Sequence, residues 1–135
     1  MVTSSTFAWC TDIHLDNLDD NQIVQFAESV KSGGFDGLLI SGDITISTEI
    51  IYHLSMLERI ISKQIFFVLG NHDYYRGEIA GVRNKMKELT NMSSYLRYLP
   101  TQSYVKLGKS SALVGHDGWY DALIGNAEAS RLIMP

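Results

Sequence analysis

Three short clusters in this chain carry side chains that bind metals or move protons: Asp12-Ile13-His14, Ser41-Gly42-Asp43 and Gly70-Asn71-His72-Asp73. Carboxylate, imidazole and amide oxygen together suit a divalent transition metal of intermediate softness, Mn, Fe or Zn. Two carboxylates crowded at one rim would repel each other without a cation. Asp12 to Asp43 is 31 positions and Asp43 to Asn71 is 28, each close to the roughly 30 residues of a strand–helix–strand unit. Taken singly, an aspartate and a glycine at a strand end read as a turn or a helix cap. Recurrence in phase changes that reading. Three consecutive parallel strands would deliver Asp12, His14, Asp43, Asn71 and His72 to the same rim, the end of an open α/β sheet where ligands gather. Alternation along an extended segment would point Asp12 and His14 to one side. Gly42 and Gly70 would let the backbone turn sharply and approach a ligand closely.

The elements needed to hold such a rim are legible in the apolar pattern. Thr6 to Cys10 reads as a strand. Asp19 with Gln22 three residues on is a capping-box start, and Ile23, Phe26, Ala27 and Val30 then make a helical stripe. Gly33-Gly34 ends it, because glycine takes the left-handed conformation without steric cost. Gly37 to Ile40 is a buried strand. Ser47 or Thr48 is the candidate cap of a second helix with the stripe Ile50, Leu54, Leu57 and Ile61. Ile65 to Leu69 is a third strand, and Ile79, Val82, Met86 and Leu89 mark a third helix. Ser103–Leu107 and Ser111–Val114, joined through Gly108-Lys109, read as a hairpin. From Trp119 onward the pattern is ambiguous.

Composition bounds the rest. The 135 residues make one domain or part of one, with 45% hydrophobic residues, 19% charged residues and two prolines, which excludes a disordered tail or a low-complexity linker. A net charge of −4 speaks against general nucleic-acid or polybasic membrane binding. A single cysteine, Cys10, excludes an internal disulfide and a cysteine-based zinc site, and it reads as a small apolar residue rather than a nucleophile. No signal peptide is visible at the start, and the apolar runs are strand-sized, far below the ~20 residues of a membrane helix. A cytoplasmic protein is the expectation. Asn91-Met92-Ser93 matches a glycosylation triplet by coincidence in such a chain. Gly108-Lys109-Ser110 lacks the first glycine and the strand-to-helix context of a P-loop, and Gly33-Gly34 follows a helix, so neither nucleotide fingerprint holds.

Asp12-x-His14, Gly42-Asp43 and Gly70-Asn71-His72-Asp73, in that order and spacing, resemble the calcineurin-like metallophosphoesterase superfamily. Its pattern is DxH, GDxx(D/N), GNH(D/E), a later lone His and a final GHxH. The likeness runs from Asp12 to the Gly115-His116-Asp117-Gly118-Trp119 stretch. It implies an α/β fold whose βαβ units form part of a layered β-sandwich flanked by helices. It also implies a hydrolase of phosphate monoesters or diesters with two divalent metal ions. Asp12 and His14 would bind the first ion, Asp43 would bridge both, and Asn71 would bind the second through its amide oxygen. A metal-activated hydroxide would attack phosphorus. His72 would protonate the leaving oxygen or steady the charged transition state.

Two departures qualify the likeness. The second acidic position of GDxxD is Ile46, where protein Ser/Thr phosphatases of the superfamily carry a carboxylate that orients the catalytic histidine. No GHxH occurs anywhere in the chain. Residues 1–135 therefore read as a single, incomplete metallophosphoesterase domain, expected to turn over phosphoesters weakly or not at all, and to self-associate through an unfinished sheet. The alternative function is an impaired remnant serving as a metal-binding or interaction module. An unrelated α/β domain with coincidental motifs is the remaining rival. Among the other residues, Arg76 is a candidate for pairing with a substrate phosphate, and His116 for a rim role or a stand-in for the lone later His. Asp73 is expected to hold nearby backbone amides. His53 is expected to be a surface or partly buried residue of its helix, and Arg83, Lys85 and Lys87 a solvated face.

Overall fold

A computed structural model describes residues 5–118. Strands β1 (Phe7–Cys10), β2 (Gly37–Ser41), β3 (Gln64–Val68) and β4 (Leu96–Tyr98) alternate with helices α1 (Asp20–Ser32), α2 (Ile50–Ile61) and α3 (Ile79–Met92). A short antiparallel pair follows, β5 (Val105–Lys106) and β6 (Ala112–Leu113). The four main strands form one parallel sheet in the order β1-β2-β3-β4. The fold is the expected mixed α/β arrangement, and the expected hairpin is present.

Each crossover adds the next strand on the same side of the last. Right-handed connections then place successive helices on one face of the sheet. The buried side chains agree. Ile23, Ala27 and Val30 of α1, Leu54, Leu57 and Ile61 of α2, and Val82 and Met86 of α3 share one core with Leu38, Ile40, Ile65, Phe67, Leu96 and Tyr98 of the sheet. Full burial of a Leu, Ile or Phe side chain stabilises by about 1.5–3 kcal/mol, so this face carries most of the fold's cohesion. The opposite face is barer. Phe7 meets Phe66 edge-on at 5.9 Å, while Trp9 is 71% exposed. Residues 113–116 run across the far end of this face, where a side chain at Gly115 would strike Val68 and Leu99 at 2.6–2.7 Å.

Local chemistry explains the element boundaries. The Asp19–Gln22 capping box forms in both directions, Gln22 N donating to Asp19 Oδ1 (2.9 Å) and Asp19 N to Gln22 Oε1 (3.0 Å). Gly34 takes the left-handed turn after α1 with φ 76°. Neither Ser47 nor Thr48 caps α2, contrary to expectation. Glu49 holds the N-cap position without a side-chain hydrogen bond, because Ser47 and Thr48 lie in the preceding turn, closed by Glu49 N donating to Ile46 O (3.0 Å). His53 is buried, not a surface residue, and its Nδ1 lies 2.9 Å from Thr45 Oγ1. Burial pushes its pKa down, and Glu49 opposes the shift. Among the described residues no helix is long and apolar enough to cross a membrane. The segment from Trp119 lies outside the described residues.

Candidate metal centre

The register of the sheet builds the site. Cys10 sits beside Ile40, and Ser41 beside Val68, so the loops after β1, β2 and β3 leave the same end of the sheet side by side. They continue the ladder as loops: Asp12 N donates to Gly42 O (3.1 Å), His14 N to Asp43 O (3.1 Å) and Leu15 N to Ile44 O (2.8 Å). Gly42 and Gly70 permit the contact. A side chain at Gly42 would meet Gly70 N at 2.7 Å, and one at Gly70 would strike Asp43 N at 2.7 Å and the Asp43 carboxylate. Gly42 also has φ 96°, which only glycine adopts freely.

Asp12 and His14 do not come together by alternation along an extended segment, contrary to expectation. Asp12, His14 and Asp43 all sit in the left-handed region, with φ of 53°, 39° and 51°. Such conformations cost an L-residue roughly 1–2 kcal/mol and persist where surrounding structure over-determines them. The rungs between the loops supply that constraint here. The outcome is one ligand atom each from Asp12, His14 and Asp43, all within 4.8 Å of one another.

Asp73 locks the arrangement from beneath. Its buried carboxylate accepts from Ile44 N (2.8 Å) and Thr45 N (2.9 Å) through Oδ1, and from Gly70 N (2.8 Å) through Oδ2. This matches the expected hold on backbone amides and ties the second loop to the third. Burial pushes its pKa up to about 7, against the three amides, which favour the anion.

Asn71 donates from Nδ2 to Tyr75 Oη (3.2 Å), so its amide oxygen is the free end. His72 N donates to Asp43 Oδ1 (3.0 Å), and the His72 ring stands edge-on to His14 with 4.5 Å between centroids. Arg76 is exposed with φ 65°, and it makes no hydrogen bond or ion pair among the described residues. His116 is exposed and accepts from Gly118 N through Nδ1 (2.8 Å). It joins neither group of candidate ligands.

Two contributors escape sequence reading. Asp16 places Oδ2 3.2 Å from His72 Nε2 and forms a second candidate group with His14 and His72. Asp117 is buried under the site. Its Oδ1 accepts from Leu69 N (2.8 Å), and its Oδ2 from Tyr74 Oη (3.0 Å), Arg83 Nε (3.2 Å) and Tyr98 Oη. Arg83 thus belongs to this network, not simply to a solvated face. The DxHxD spacing is the only sequence signal for Asp16, and none marks Asp117.

The donors fit a divalent cation. His14 Nδ1 is buried without a hydrogen-bond partner, a state that is unfavourable by about 1–3 kcal/mol. Among the described residues, no lysine or arginine pairs with Asp12, Asp16 or Asp43; their ion-pair contacts are with His14 and His72. Hard carboxylate oxygens beside imidazole nitrogens suit the Mn, Fe and Zn class.

A parallel α/β sheet thus carries a carboxylate–imidazole cluster where its strands end. The chain matches the family model described as calcineurin-like phosphoesterase over residues 5–129, and it belongs to that family. Searches of curated proteins and of solved structures give no match.

Proposed function

We propose that this protein hydrolyses phosphate esters, monoesters or diesters, with two divalent metal ions of the Mn, Fe or Zn class. The observation that carries the reading is the convergence of Asp12, His14 and Asp43 to within 4.8 Å on a strained, cross-braced rim. Asp12, His14 and Asp43 would hold one ion, and Asp43 with the Asn71 amide oxygen the other. Divalent ions there would polarise a phosphoryl oxygen and lower the pKa of water. Asp43 is suited to the shared position because β2 lies between β1 and β3. Its Oδ1 is occupied by the His72 amide, while Oδ2 faces His14 Nε2 at 4.0 Å. His72 would protonate the leaving oxygen as the phosphorus–oxygen bond breaks. The net charge of −4 favours a small phosphorylated substrate over a nucleic-acid lattice.

The test is the purified chain, stripped with chelator, reloaded with Mn²⁺, and assayed on p-nitrophenyl phosphate and bis(p-nitrophenyl) phosphate. Weak metal-dependent turnover is the expected result, because the sequence supplies no GHxH ligands. Asp43→Ala should abolish metal uptake, whereas His72→Ala should keep it and lower kcat by on the order of 10²-fold. Equal metal loss in both variants refutes the division of roles. Metal uptake without turnover of either ester refutes the hydrolase and leaves a metal-binding module.

A further inference from the structure

His72 is held at two points. Its backbone amide is fixed on Asp43 Oδ1, and its ring is fixed by Asp16, whose Oδ2 lies 3.2 Å from Nε2. The Asp16 carboxylate is not a loose surface group. It sits on a single helical turn, Leu15–Asn17, pinned by the fully buried Leu15 and by the Leu15 N to Ile44 O bond of 2.8 Å. The side chain of Asp16 is only 15% exposed. Position 46, acidic in the pattern that the chain resembles, is a buried isoleucine and offers His72 no acceptor.

We propose that Asp16 is the positioning residue for His72. The inference rests on the proposed hydrolase reading, in which His72 delivers a proton. Asp16 accepts the Nε2 hydrogen and so fixes the ring's orientation and tautomer. Nδ1 then remains as the nitrogen that carries a proton to the leaving oxygen; it has no hydrogen bond among the described residues. In the full step, water supplies the incoming oxygen to phosphorus and releases one proton to solvent. The phosphorus–oxygen bond to the leaving group breaks, and the leaving oxygen takes one proton from His72, which solvent restores.

The experiment pairs a structural readout with a kinetic one. In the metal-free full chain, long-range ¹H–¹⁵N spectra of His72 should show the Nε2–H tautomer. Asp16→Ala should lose that preference, and Asp16→Asn, whose amide oxygen still accepts, should keep it. In the Mn²⁺-loaded chain, Asp16→Ala should lower kcat on the order of 10²-fold, with KM changed by less than about twofold and metal content unchanged. It should add nothing in a His72→Ala background. Unchanged tautomer balance in Asp16→Ala overturns the proposal, as does an additive double variant. Metal loss as large as that of Asp43→Ala also overturns it, since Asp16 would then be a ligand. Absence of turnover in the unsubstituted chain defeats the hydrolase reading instead, and the tautomer measurement alone then decides whether Asp16 holds His72.

Discussion

Replacing Asp117 by alanine should measurably lower the stability of this protein. The carboxylate is 1% exposed and serves Leu69 N, Tyr74 Oη, Tyr98 Oη and Arg83 Nε. Arg83 can return to water, because its side chain is 42% exposed. Tyr74 keeps a partner, since Arg83 Nε also donates to its hydroxyl at 3.1 Å. Tyr98 keeps Tyr74 as a hydrogen-bond partner, but the Leu69 amide has no such recourse, and a buried donor stranded costs about 1–3 kcal/mol. With the cavity left by a vanished carboxylate added, the loss comes to about 2–4 kcal/mol. Urea unfolding followed by circular dichroism, on metal-free protein, measures it. Asp117→Asn keeps the volume and an acceptor for Leu69 and should fall between alanine and the unsubstituted chain. Tyr98→Phe removes one hydroxyl and should cost about 1 kcal/mol, giving a reading even where Asp117→Ala does not fold. A loss below about 1 kcal/mol for Asp117→Ala would show that water replaces the carboxylate without penalty and would refute the reasoning.

Other outcomes follow from single observations. Gly70→Ala would push a methyl group onto Asp43, so metal affinity by isothermal titration should fall roughly 10- to 100-fold, while Gly81→Ala, on α3 with open space around it, should leave it unaltered. Burial raises the Cys10 thiol from 9.0 to about 11, which lowers the thiolate fraction at pH 8 about 100-fold; alkylation by iodoacetamide should be slower than for an unfolded control by about that factor, and an equal rate would contradict the burial. Burial lowers the folded-state pKa of His53 below its usual 6.5. The neutral ring therefore stabilises the fold fully above that value, and the benefit is lost as pH falls through the folded-state pKa. Thermal unfolding should show a smaller decline between pH 7.5 and 5 in His53→Gln than in the parent, and identical declines would contradict the assignment.

The framework was legible because its signals are local. Period-3.6 stripes and compact β-branched runs report burial of one helix face or a whole strand, and the Asp19–Gln22 box needs four residues only. The rim followed because three motifs recur in phase with the βαβ unit. What escaped depends on contacts across space. Leu96–Tyr98 is a strand of three residues placed directly after a helix, too short to show alternation, and its pairing with β3 exists only through the sheet. The cap of α2 falls at Glu49 because a turn closed by Glu49 N on Ile46 O takes up Ser47 and Thr48, and no residue type in that stretch announces it. Asp12 and His14 looked extended because nothing local reveals that the neighbouring loop would bend them left-handed. Asp16 and Asp117 matter through partners 56 and 48 positions distant, and single-residue propensities carry no trace of such pairs.

The left-handed backbone at Asp12, His14 and Asp43 sets fitness and robustness at odds. Glycine would occupy these three positions without strain, so substitutions that relax the fold are the same ones that erase the donors. A lineage drifting under pressure for durability alone would empty its own site, one glycine at a time. The three strained residues could not be relaxed as structure without being lost as donors.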